Sequence, residues 1–212
     1  MAWSGDAVSA YVHADIGGIV ALAVADGPVD AIGIDIPIGL ADSSMRQADL
    51  LARKAAGPRW ASVFGTPVRA ALLIEDHQQA SALNRRLTGA GISRQAYNLR
   101  DKIRQVDDWL AGAPCVVAEV HPELTFTELA GAPLVDSKST WSGAVRRRRL
   151  LADAGIDVSG DLALTGCQVG VDDVLDAAAV AWTAARVARS AARCLPDPPE
   201  RFSDGIACAI WT

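Results

Sequence analysis

The chain has 212 residues, of which 50% are hydrophobic and 21% charged, with a formal net charge of −5 at pH 7. That balance is globular, and no apolar run approaches the about 20 residues that a membrane span needs, so a soluble, cytoplasmic protein without a membrane partner is expected. The acid excess argues against a dedicated nucleic-acid coat, which relies on clustered Lys and Arg, but not against a nuclease whose own site is built of carboxylates.

Residues 1–14 read as a hairpin, with Ala2-Trp3, a turn at Ser4-Gly5-Asp6 and the β-formers Val8, Tyr11 and Val12. Asp15 is placed to cap an apolar helix to about Ala25, and Gly27-Pro28 breaks the chain before Val29–Leu40. In that stretch Ile32, Ile34 and Ile36 alternate onto one face of a buried strand, and Gly33 and Asp35 share the other, where Gly33 leaves open space. Pro37 lacks an amide hydrogen and closes the ladder, leaving Asp35 near the carboxyl end of the strand, where open α/β sheets bind ligands. Two readings of Asp35 stand side by side: a carboxylate facing a cleft, or a cap on the following turn.

Asp42 or Ser43 is placed to cap a helix to about Ala56 that carries Arg46, Asp49 and Arg53 on one face, either a functional stripe or a solvated one. Residues 60–69 have too many loop formers for a regular element. Helices follow from Asp76 to Thr88 and, capped by Ser93, from Arg94 to Ala111. Residues 41–112 therefore form a helical insertion, longer than a crossover requires, within one domain spanning 1–212. Cys115–Val120 is a second apolar strand, with Glu119 and His121 on one face, and Pro122 opens a helix through Leu129 with Glu123 near its positive end.

After Ser137-Lys138, a helix ending at Gly155 holds Arg146-Arg147-Arg148-Arg149, which at 100° per residue spread round its circumference, most of them into solvent. The longest helix runs from near Val171 to about Cys194. Asp173 and Asp176 are neighbours on its first turns, a like-charge pair that calls for a cation or the helix dipole. Pro196–Glu200 reads as a proline-rich connection to a last strand, Ile206–Trp211. Cys115, Cys167, Cys194 and Cys208 are scattered without a CxxC pair, so neither a zinc site nor a disulfide framework is expected.

Taken in order, Gly33-Ile34-Asp35-Ile36-Pro37-Ile38-Gly39-Leu40, the Arg46/Asp49/Arg53 helix, Ser62-Val63-Phe64 with Pro67 and Arg69, Gly91-Ile92-Ser93 with Gln95, Glu119-Val120-His121-Pro122-Glu123, Ser137-Lys138 and Asp176-Ala177 with Ala181-Trp182-Thr183-Ala184 resemble the family called domain of unknown function 429. The resemblance covers roughly residues 30 to 190. It implies a ribonuclease-H-like α/β fold, a mixed sheet flanked by helices, and a metal-dependent nuclease (a hydrolase of phosphodiesters). The implied metal ligands are Asp35, Glu119, Asp173 and Asp176 around Mg2+ or Mn2+. Catalytic roles fall on Asp35, Glu119, Asp176, Lys138 and His121, and substrate-binding roles on Arg46, Arg53, Arg69, Ser93 and Gln95.

The family's usual first strand, with a Gly-x-Asp-Gly-like motif, has no counterpart here. Either the reading frame starts at an internal methionine or the chain is a variant lacking that strand, in which case an exposed sheet edge invites a homodimer. Two other function classes remain open from the sequence: a non-catalytic regulatory or interaction domain with an incomplete metal site, and a small-molecule nucleotide phosphohydrolase.

Overall fold

A computed structural model of the chain describes residues 1–5 and 7–212, so the turn expected at Asp6 lies outside the described residues. A two-stranded ribbon, β1 (Ala2–Trp3) with β2 (Val8–Ser9), opens the chain, much shorter than the predicted hairpin. Helix α1 (Ile16–Asp26) follows, capped as expected by Asp15, whose carboxylate accepts the Gly18 amide at 2.8 Å.

The main sheet has four strands in the order β3 (Ala31–Ile34), β4 (Val116–Val120), β6 (Ala207–Trp211), β5 (Cys194–Arg201). β3, β4 and β6 are parallel, and β5 runs antiparallel to β6, so the sheet is mixed and flanked by helices. The proline-rich segment read as a connection is thus a strand. β5 lies at the edge of the sheet, where a missing amide hydrogen breaks no inner ladder.

Alternation along the strands assigns each face. Ile34, Glu119 and Ile210 are register partners and share one face, while Gly33 and Ala118 share the other. On the first face lie α2 (Gln47–Ala55), which with Ala56 at its end buries Ala48 and Ala52 against Cys208 and Ile210, and α6 (Arg100–Trp109), whose Val106 joins Ile34 and Ile38. On the second lies α9 (Val171–Ala188). Gly33 does not leave open space there: a Cβ on it would sit 2.7 Å from Val180 Cγ1 and 2.9 Å from the Val180 carbonyl oxygen. The lack of a side chain lets α9 approach β3 closely.

Between β3 and β4 the chain also forms α3 (Arg69–Leu72), α4 (His77–Thr88) and α5 (Arg94–Asn98), which share a small core of Val68, Ala71, Ala80, Ile92 and Ala96. The single helix predicted from Arg94 to Ala111 is two, parted at Leu99. α2 begins only after Arg46. Asp42 bonds Ser203 rather than capping it, so neither Asp42 nor Ser43 starts that helix. After β4 come α7 (Pro122–Ala130) and α8 (Trp141–Asp153), which meet α9 around Phe126, Leu151, Leu175 and Ala179. The four cysteines are free thiols, and no helix of the described residues is long and apolar enough to cross a membrane.

Candidate active site

The parallel strands end on a cleft of about 350 Å³. Asp35 follows β3 directly, Glu119 and His121 come from the end of β4, Glu123 from the first turn of α7, Lys138 from the α7–α8 connection and Asp176 from α9, and all of them line the cleft with Gln95 of α5. This is the end of the sheet at which the carboxyl termini of parallel strands leave room for a ligand.

The centre of the cleft is a lysine among carboxylates. Lys138 Nζ donates to Asp176 Oδ2 at 2.6 Å and lies 3.7 Å from Asp172 Oδ2. Burial draws its pKa down, but Asp176, Asp172 and Asp35 outweigh that and leave it raised. Asp35 opens to the cleft yet is crowded by protein. Partial desolvation, the negative charge of Asp176 and that of Glu119 push its carboxyl well above the usual aspartate range, against the pull of Lys138. Asp176 is raised for similar reasons, burial first, with Lys138 opposing and Asp172 and Glu123 adding to it. Burial also lowers the pKa of His121, so the imidazole is held neutral. Its Nε2 faces the Ser62 carbonyl at 3.3 Å, and Nδ1 has no hydrogen-bond partner among the described residues.

Glu119 plays a different part. It points to the face opposite Gly33 and accepts Arg46 Nη2 on both oxygens, at 2.8 and 2.7 Å, and the Ile38 amide at 2.7 Å. Burial raises its pKa to about 7 against the pull of Arg46. The guanidinium stays charged, held above its ordinary range by Glu119 and Asp49 despite its burial. Asp49 in turn accepts the Thr66 amide at 2.7 Å and the Thr66 hydroxyl at 3.2 Å.

Several residues expected to meet substrate do not reach the cleft. Arg46 is fully buried on Glu119, because the helix it precedes lies flat on the sheet. Arg53 donates to the Val63 carbonyl at 2.7 Å. Arg69 bridges Asp107 and Asp204, at 2.5 Å each, and so ties α6 to the β5–β6 turn. Ser93 caps α5 through the Ala96 amide. Asp173 accepts the Gly170 amide at 3.1 Å, the cap of α9, while Asp172, one residue earlier, faces Lys138.

Sequence reasoning also passed over Arg59, Thr66 and the pairing of Glu123, which line the cleft. Glu123 is bound on both oxygens by Arg147 Nη2, at 2.7 and 2.9 Å, so one of the four consecutive arginines is buried while its neighbours are exposed. The run of four signals only that one must face inward, and nothing local marks Arg59.

The expected metal set of Asp35, Glu119, Asp173 and Asp176 does not fit Mg2+ or Mn2+ as these residues are placed. Glu119 is taken by Arg46 on one face of the sheet, Asp173 is turned to its own helix, and the Lys138 ammonium already bridges the carboxylates of α9. Among the described residues no group of three or more His, Cys, Asp or Glu side chains is arranged to hold an ion.

No curated protein and no solved structure matches the chain. A family model does, over residues 1–201, and the chain belongs to that family, described as Protein of unknown function (DUF429).

Proposed function

We propose that the chain is a cytoplasmic hydrolase of phosphodiester bonds, a nuclease on a ribonuclease-H-like core. The observation that carries this reading is Lys138 held by Asp176 and Asp172 beside Asp35, at the carboxyl ends of parallel strands. An ammonium in that position receives a non-bridging oxygen of the phosphate. A carboxyl raised above the usual aspartate range by partial desolvation and its neighbours and an imidazole kept neutral by burial can each take up and release a proton, so Asp35 and His121 are the proton carriers to and from water and the leaving oxygen. No step runs through magnesium or manganese, since the residues do not fit the ion. Hydrolysis of labelled RNA, DNA and bis(p-nitrophenyl) phosphate by the parent, Asp35→Asn and Lys138→Met tests the reading. Each variant is expected to lose at least about 100-fold, and variants as active as the parent overturn it. A substrate panel including free nucleotides separates a nuclease from a nucleotide phosphohydrolase.

A second reading is favoured by the same pairing. With Glu119 committed to Arg46 and Asp176 to Lys138, the carboxylates are satisfied without a substrate, as in a non-catalytic binding domain. Strand binding without turnover by the parent selects it. β3 is also an edge of the sheet, and a homodimer through that edge is read from solution mass.

A further inference from the structure

Helix α8 buries Gly143, Arg147 and Leu151, one turn apart, and therefore turns a second stripe outward. At 3.6 residues per turn, Trp141, Val145, Arg148 and Arg149 fall within about 100° of one another on that outer side, with Arg146 beside them. All five are exposed. Arg146, Arg148 and Arg149 form no ion pair among the described residues.

The stripe begins close in the chain to the cleft residue Lys138. Trp141 stands three residues after Lys138, and its helix delivers Arg147 to the cleft residue Glu123. Exposed apolar side chains lie beside other residues of the cleft in the chain. Trp141 is 84% exposed and Val171, next to Asp172, 70%. Val135 is 79% exposed, and its carbonyl accepts a hydrogen bond from the cleft residue Arg59, beside which Trp60 is 58% exposed. Of the six tryptophans, only Trp60 and Trp141 are exposed, and both flank segments that line the cleft. A flat aromatic in water next to unpaired guanidinium groups is the surface on which a single strand lies, bases on the rings and phosphates on the arginines.

We propose that the outer stripe of α8 is a track for single-stranded nucleic acid: Trp141 stacks unpaired bases, and Arg146, Arg148 and Arg149 hold the phosphates of the strand. The inference rests on the nuclease reading for the identity of the polyanion and adds that the strand is unpaired. A duplex hides its base faces from Trp141.

The test is fluorescence anisotropy with fluorescein-labelled oligothymidylate, oligouridylate and a hairpin duplex. It compares the parent, Trp141→Ala and the triple variant Arg146→Ser/Arg148→Ser/Arg149→Ser, which leaves the buried Arg147 in place. The parent binds the single strands more tightly than the duplex. Trp141→Ala weakens that binding by about 5- to 150-fold, the range for loss of one stacked base. The triple variant lowers the slope of log affinity against log salt by about 2, for three phosphates on a single strand. Both variants cleave bis(p-nitrophenyl) phosphate like the parent. Single-strand binding unchanged in both variants, or no strand binding by the parent, overturns the track. If hydrolysis is absent while the variants still weaken binding, the track stands and the nuclease reading falls.

Discussion

Arg46 Nη2 lies 2.8 and 2.7 Å from the two carboxylate oxygens of Glu119, and neither side chain is open to solvent beyond a few per cent. The pair joins the start of α2 to the end of β4, and the Ile38 amide on Glu119 adds the loop that carries Asp35. Removing one partner strands the other charge in the core. Arg46→Met is therefore expected to cost about 3–5 kcal/mol in urea denaturation, and the double variant Arg46→Met/Glu119→Leu to recover most of it, since a buried pair replaced by apolar groups is often neutral. A single variant within about 1 kcal/mol of the parent contradicts this role, given the size expected for a broken buried pair.

Gly33 sets the distance between β3 and α9. A methyl group there would meet Val180 Cγ1 at 2.7 Å and the Val180 carbonyl at 2.9 Å, and the second contact is backbone that cannot turn aside. Gly33→Ala is expected to destabilise the fold by about 1–3 kcal/mol, the usual range for overpacking. Because α9 carries Asp176 to the Asp35 side of the cleft, the same variant should lower hydrolysis more than substrate binding, which a kcat and KM comparison reads.

What was legible in the sequence follows from local pattern. Alternating isoleucines and Pro37 marked the strand before Asp35. Val116–Val120 and Pro122 did the same for Glu119 and His121, and helical spacing placed Asp176 on the first turns of α9. The rest depends on register and on which side of a helix faces in. That Ile34 pairs with Glu119 puts Glu119 opposite the α9 side, and no strand sequence states its partner. Asp172 and Asp173 differ by 100° on one helix, so choosing between them needs the position of Lys138. The strand Cys194–Arg201 was hidden by its three prolines, which only an edge tolerates.

Asp35 is expected to work against the stability of the fold. Its folded pKa lies above the ordinary 3.8, so the folded state favours the protonated form. That contribution is fully present below about 3.8 and is lost as pH rises through the folded value. Asp35→Asn escapes the loss. The melting temperature of the variant relative to the parent should therefore rise from acid to neutral pH, while activity falls. The effect is moderated by the water that Asp35 meets in the cleft. A relative melting temperature that falls toward neutral pH would mean that Asp35 is stabilised as the anion.

Lys138 is the charge that lets Asp35, Asp172 and Asp176 stand together. Its ammonium lowers the pKa of both Asp35 and Asp176, which burial and mutual repulsion raise. In Lys138→Met that opposition is gone, and both carboxyls rise further. The ionised cluster then costs more at neutral pH, so the variant loses stability relative to the parent as pH climbs from below 3.8, where the aspartates are protonated in both states. If Asp35 carries the proton in catalysis, the acid limb of the pH–rate profile moves to higher pH in step. Lys138→Arg restores the positive charge and should return the limb toward the parent position, even if the longer side chain lowers the rate. A purely structural lysine would lower stability in Lys138→Met while leaving the position of the acid limb unchanged.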